Sequence, residues 1–226
     1  GFAMRGLQKL RRTANNTFLQ TMGSAYSPSG AEGNQLDFLY KTMVDVQESA
    51  AYILEKARRS YAGSGYPDHP FGRGLRQIAD LMLSDCDTRI YYIQLPGFDT
   101  HVNQKTRQAR LLRIYADGLQ ALIRDLKQNG LFEETLIMTF SEFGRRIAQN
   151  ASEGTDHGAA NNLFLIGGDL KKPGLYNEPA NLSHTEKGDI AFTIDFRSVY
   201  ANILEDWLSA DASLILPGYA GKIKAV

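Results

Sequence analysis

Three short polar segments hold most of the side chains that could bind a metal or act on a substrate: Gly97-Phe98-Asp99-Thr100-His101, Ser141-Glu142-Phe143-Gly144-Arg145 and Gly154-Thr155-Asp156-His157-Gly158. Two of the chain's four histidines fall in them, each near an aspartate. Neutral imidazoles with two or three carboxylates make a donor set for zinc, or for a manganese- or iron-like ion. Such an ion lowers the pKa of bound water toward neutrality, so that it can attack an ester. His101 follows Asp99 by two residues, a spacing that puts both side chains on one side of an extended or turning segment. Glu142 begins the turn after a predicted strand, where its carboxylate can point into a crevice. Arg145, close behind, suits bidentate contact with a phosphate or sulfate oxygen.

Each group also has a plainer role open to it. Asp99 could cap the following helix, as could Thr100 or Asn103. His101 could be an ordinary surface histidine. Asp156-His157, between glycines, could be turn chemistry. Glu142 could pair with Arg145 or Arg146. His69, in a Pro-flanked loop, reads as structural, and His184 as a solvent-exposed loop residue. Cys86 reads as a small buried hydrophobe beside a strand.

The elements that must position these groups follow from periodicity. Leu36, Leu39, Met43, Val46, Ala50, Ile53, Leu54 and Ala57 recur at helical spacing over 35–60. Leu7, Leu10 and Phe18 suggest an earlier helix, with a loop at Tyr26–Gly33 between the two. Ala62–Pro70 is a second loop, and Leu75, Ile78, Ala79, Met82 and Leu83 carry the next helix. Thr88–Leu95, rich in β-branched and aromatic residues, reads as a strand ended by Pro96-Gly97. A long helix over 103–128 buries Leu111, Leu112, Tyr115, Leu119, Leu122, Ile123 and Leu126, and Asn129-Gly130 caps it. Glu134–Phe140 is the next strand.

Strand, helix, strand predicts a parallel βαβ unit, so the first two polar segments should leave the same sheet edge. Asp156-His157 sits in a polar loop, 146–160, and precedes the strand Asn162–Gly167. For it to join the others, that strand must run antiparallel to its neighbours. Loop or hairpin covers 170–188. A final helix over 195–208 buries Phe196, Val199, Tyr200, Ile203, Leu204 and Trp207.

Composition sets the outer bounds. The chain has 226 residues, 43% hydrophobic, with 25 basic and 25 acidic side chains. Zero net charge implies no strong pull toward nucleic acid or acidic membranes. No apolar run reaches the roughly 18 residues of a membrane span. The single cysteine excludes an internal disulfide and a cysteine-based zinc site. Gly1 is not a natural start, and Arg11-Arg12 has no apolar stretch behind it to make a signal peptide.

The three polar segments, with Asn103-Gln104, Thr193–Tyr200 and Leu204–Leu208, resemble a bacterial domain-of-unknown-function family, number 1501, of exported proteins in the alkaline phosphatase and sulfatase superfamily. The resemblance runs from about residue 36 to the C-terminus. It implies a single α/β domain over 1–226, mostly helical over 1–85 and sheet-bearing over 86–226. The implied architecture is an alkaline-phosphatase-like three-layer α/β/α sandwich, its sheet mostly parallel with at least one antiparallel strand and its N-terminal part missing. It implies a divalent ion, zinc first with manganese or calcium as alternatives, on Asp99, His101 and His157, with Glu142 and Asp156 as further ligands.

Arg145 would then meet the oxyanion of a small phosphate or sulfate ester, and the protein would be periplasmic or extracellular. This sequence departs from the superfamily in three ways. Asp99 and His101 are two apart where four is common. Phe143 stands where a second-metal histidine is usual. The nucleophile and first ligand aspartate belong to an N-terminal part that this chain lacks. A non-catalytic exported binding or assembly protein with the same fold is the alternative expectation.

Overall fold

The computed structural model describes residues 35–59, 61–183, 185–186 and 188–226, with Asn15 and Thr21. The helix expected around Leu7, Leu10 and Phe18, the Arg11-Arg12 pair, the Tyr26–Gly33 loop and His184 lie outside the described residues. The chain is a mixed α/β protein. In order, the described elements are α1 (Gln35–Lys56), α2 (Pro70–Leu83), α3 (Gln104–Gln128), β1 (Leu136–Thr139), β2 (Gly144–Gln149), β3 (Thr155–Gly158), β4 (Phe164–Gly167), β5 (Thr185–Glu186), β6 (Asp189–Ile190) and α4 (Phe196–Asn202). They fall into two compact units. The first takes the described residues up to Leu95 with Ile114–Asp125, and the second takes Pro96–Arg113 with Leu126–Val226.

The helices expected over the described residues form but bury only part of the expected stripes, and Leu112 of α3, expected to be buried, is exposed. Ala50, Leu75, Ala79, Leu119 and Leu122 are in the core of the first unit, while Leu39 is exposed. His69 is structural, as its loop position suggested: its Nδ1 accepts from the Phe71 backbone N–H at 3.2 Å and caps α2. Asp125 is buried, and its carboxylate accepts from the Gly63 N–H at 2.9 Å and the Tyr66 hydroxyl at 2.8 Å. Burial first, then that hydrogen bond, pushes the Tyr66 hydroxyl far above its ordinary pKa.

Residues 88–95, expected as the first strand of a βαβ unit, join no ladder among the described residues. Exposure alternates from Tyr91 to Leu95, and Ile90 and Tyr92 face solvent. The segment has the residue types of a strand, but a strand exists only where a neighbour completes its hydrogen bonds. No ladder of the described residues includes it, so the parallel pair expected from strand–helix–strand order is not found there.

The second unit holds three two-stranded ladders, all antiparallel: β1 with β4, β2 with β3, and β5 with β6. The β1/β4 register runs from Leu136 opposite Gly167 to Thr139 opposite Phe164. The antiparallel sense expected of the 162–167 strand is therefore present. The expected polar loop at 146–160 is instead mostly the β2/β3 hairpin. Gly144-Arg-Arg-Ile-Ala-Gln149 has the wrong composition for a propensity-based strand, and pairing with β3 makes it one.

The final helix is shorter than expected. Asp195 accepts from the Arg197 N–H at 2.9 Å and caps α4, which passes into a π-helical turn at Ile203–Trp207. Phe196, expected to be buried, is exposed at the helix start. Asn202 is buried in the next turn, where its Oδ1 accepts from the Ala225 and Val226 backbone N–H groups. That bond fastens the last residues to the unit's core beside Val199 and Ala201.

Candidate metal centre

The centre belongs wholly to the second unit and is built from two segments. The first is the turn after residue 96. Gly97 there has φ 107°, a left-handed conformation that favours glycine, and the chain then delivers Asp99 and His101. The second is the β2/β3 hairpin, which delivers Arg145, Asp156 and His157, with Arg145 directly opposite His157 in the register.

Two contacts lock the segments together. Asn150, in the hairpin turn, accepts from the Ser152 and Gly154 N–H groups through Oδ1 and donates through Nδ2 to the His101 carbonyl at 3.0 Å. Gly154 passes so close that a Cβ there would lie 2.2 Å from the His101 carbonyl carbon and oxygen. No side chain fits at that distance. The Asn103 and Gln104 N–H groups complete the junction by donating to the Ser152 and Glu153 carbonyls.

Three donor atoms converge. Asp99 Oδ1 lies 2.8 Å from His157 Nε2 and 3.0 Å from His101 Nε2. All three ligand atoms lie within 4.8 Å of one another, the one such group of three among the described residues. The hydrogen bond from His157, the largest influence, holds the Asp99 carboxyl below its ordinary value, with the charges of both histidines and the Arg145 bond acting the same way. Zinc bonds of about 2.0–2.1 Å set ligand–ligand edges of roughly 3.3 Å in a tetrahedron, so Asp99 Oδ1 need only move slightly away from each histidine nitrogen to admit an ion. The side chains are 44–60% exposed, which leaves an open side for a further ligand or a substrate.

The remaining expected residues divide. Asp156 Oδ1 reaches the other nitrogen of His101, Nδ1, at 3.4 Å. Glu142 is exposed and stands outside the group, and it does not hold Arg145. Arg145 turns inward. Its Nη1 donates to the Thr155 carbonyl at 2.6 Å, and its Nη2 to the Phe98 carbonyl at 2.5 Å and to Asp99 Oδ1 at 3.3 Å. Only 16% of its side chain is exposed. It thus braces both ligand segments. Phe143 lies flat on the His157 ring, centroids 3.7 Å apart and planes 7° apart.

Asn150 went unrecognised in the sequence. Its signal was turn chemistry, an Asn followed by Ser152 and Gly154, but what the turn holds is set by tertiary contact. A cavity of about 400 Å³ adjoins Arg145 and Thr155, and Gln104, Lys105, Gln108, Arg146, Gln149 and Glu153 complete its lining.

The sequence model of a family described as "Protein of unknown function (DUF1501)" matches residues 5–215. No curated protein and no solved structure matches the chain.

Proposed function

We propose that this chain, which belongs to the DUF1501 family of proteins of unknown function, is a metal-dependent hydrolase of phosphate or sulfate esters. Asp99, His101 and His157 hold its ion. The observation that carries this reading is the convergence of two imidazole Nε2 atoms on one carboxylate oxygen, at 2.8 and 3.0 Å. Two nitrogens and one carboxylate suit zinc, and suit calcium least, because calcium takes oxygen ligands.

When bound, a divalent ion supplies positive charge to polarise an ester oxygen and to activate water. The chain's own residues orient and bind. Arg145 holds the Phe98 and Thr155 carbonyls and keeps Asp99 in place. With Nη1 and Nη2 of Arg145 turned onto those groups, the substrate's anionic group is assigned to Lys105 and Arg146, which line the neighbouring cavity together with the acidic Glu153. The finer parts of the proposal, an alkaline-phosphatase-like α/β/α sandwich and an exported protein, rest on the motif resemblance.

Phe143 favours a second reading, a non-catalytic exported binding or assembly protein. It stacks on His157 where the superfamily places a second-metal ligand, which limits the centre to one ion's donors.

The test is metal analysis of the purified chain, zinc titration, and assay on aryl phosphate and aryl sulfate. Zinc bound by the parent chain and lost in Asp99→Asn, His101→Ala and His157→Ala, with zinc-dependent ester cleavage, supports the hydrolase. Zinc binding without cleavage of either ester favours the second reading. A parent chain that takes up neither zinc nor manganese overturns the metal centre.

A further inference from the structure

We propose that Asp156 is a positioning residue of this centre and not one of its ligands. This rests on the metal-centre reading above. His101 stands between two carboxylates: Asp99 Oδ1 is 3.0 Å from Nε2, and Asp156 Oδ1 is 3.4 Å from Nδ1. The two nitrogens of an imidazole point away from each other. An ion bound through Nε2 on the Asp99 side therefore has the His101 ring between itself and Asp156. Asp156 does not belong to the group of convergent donors, which comprises Asp99, His101 and His157.

Proton placement gives the contact its purpose. A neutral imidazole carries one N–H, and His101 faces a carboxylate on each side. With the proton on Nδ1, the nitrogen that faces Asp156 Oδ1 at 3.4 Å, the Nε2 lone pair faces Asp99 Oδ1 at 3.0 Å. Two electron-rich atoms at that distance repel each other, and a cation between them turns the repulsion into two bonds. Asp156 thus supports the tautomer that a metal needs, against the pull of Asp99 on the other side at 3.0 Å. It also opposes rotation of the ring and raises the basicity of Nε2, as carboxylates behind metal-bound histidines do.

His157 is held differently. Its ring is fixed by its face, flat against Phe143. The two histidines therefore call for different supports, a carboxylate behind His101 and an aromatic ring beside His157.

The experiment compares the full parent chain with Asp156→Ala, Asp156→Asn and Asp99→Asn. Zinc affinity is measured by competition with a chromophoric chelator. Nitrogen NMR of the zinc-loaded chain reports which ring nitrogen of His101 holds the metal and which holds the proton. Asp156 is mostly exposed, so metal-free urea unfolding should match the parent and exclude a folding defect.

The expected result is zinc affinity about 10- to 100-fold weaker in Asp156→Ala, with a smaller loss in Asp156→Asn. In the parent, His101 should bind zinc through Nε2 and keep a proton on Nδ1. An affinity unchanged in Asp156→Ala overturns the inference and leaves the metal centre standing. So does a loss as complete as that in Asp99→Asn, which makes Asp156 a ligand. A parent chain that binds no zinc overturns both, and is told apart by the parent measurement alone.

Discussion

Asp99 carries more of the centre than any other side chain, since both histidines and Arg145 address its Oδ1. Removing a ligand should cost more zinc affinity than removing a supporting residue. Asp99→Asn, His101→Ala and His157→Ala are each expected to lose more than the roughly 10–100-fold that outer partners carry, read by chelator competition. Arg145 makes a separate prediction. Its flat fork serves two carbonyls and a carboxylate at once, a geometry that a lysine ammonium cannot reproduce. Arg145→Lys should keep the charge yet lower stability by about 1–3 kcal/mol in urea unfolding. Residue type singled out Asp99, His101 and His157 among the candidate donors, and the family resemblance grouped them as one expected ligand set. Neither revealed the inward turn of Arg145, whose partners are backbone carbonyls from two distant segments.

At the scale of elements, the β2/β3 hairpin decides whether the centre exists. It presents His157 and Asp156, and its turn is pinned to the His101 backbone through Asn150. Gly154→Ala would push a methyl group against the His101 carbonyl and force the two segments apart. The expected cost is about 1–3 kcal/mol of stability, with weaker zinc binding, although no ligand is changed. Asn150→Ala should act the same way more mildly, through three lost side-chain hydrogen bonds. A control at Gly130, where nothing lies near an added Cβ but φ is 71°, should strain the helix end and spare zinc affinity. The helices were legible because an apolar stripe every three to four residues is a local record of which face is covered. The hairpin was not, because Gly-Arg-Arg-Ile-Ala-Gln becomes a strand only by pairing.

For the whole molecule, every donor of the centre lies in one of the two compact units. Zinc bound to the folded chain should therefore raise its stability, by about 2.7 kcal/mol at one hundred times the dissociation constant. Thermal unfolding with and without zinc checks this, and the rise should vanish in Asp99→Asn.

Acid should act in the opposite direction. Asp206 is held below its ordinary value of 3.8 chiefly by the Lys222 ammonium, and also by the Asn202 amide, while Asp211 is lowered by its bonds to Ser213. A carboxyl with a depressed folded-state pKa binds its proton less readily than in the unfolded chain. Its contribution is therefore complete above 3.8 and is lost as pH falls through the lower folded value. Urea midpoints measured down through that range should fall, and Asp206→Asn should flatten the slope.

Taken alone, the sequence determined the helical segments of the described residues and the family. Each of these is written in local pattern or residue type. Only the tertiary structure decided that Asp156 sits behind His101, that Arg145 braces both segments, that Phe143 stacks on His157 and that residues 88–95 join no ladder among the described residues. Those outcomes depend on which distant backbone comes within hydrogen-bonding reach, and no local pattern encodes that.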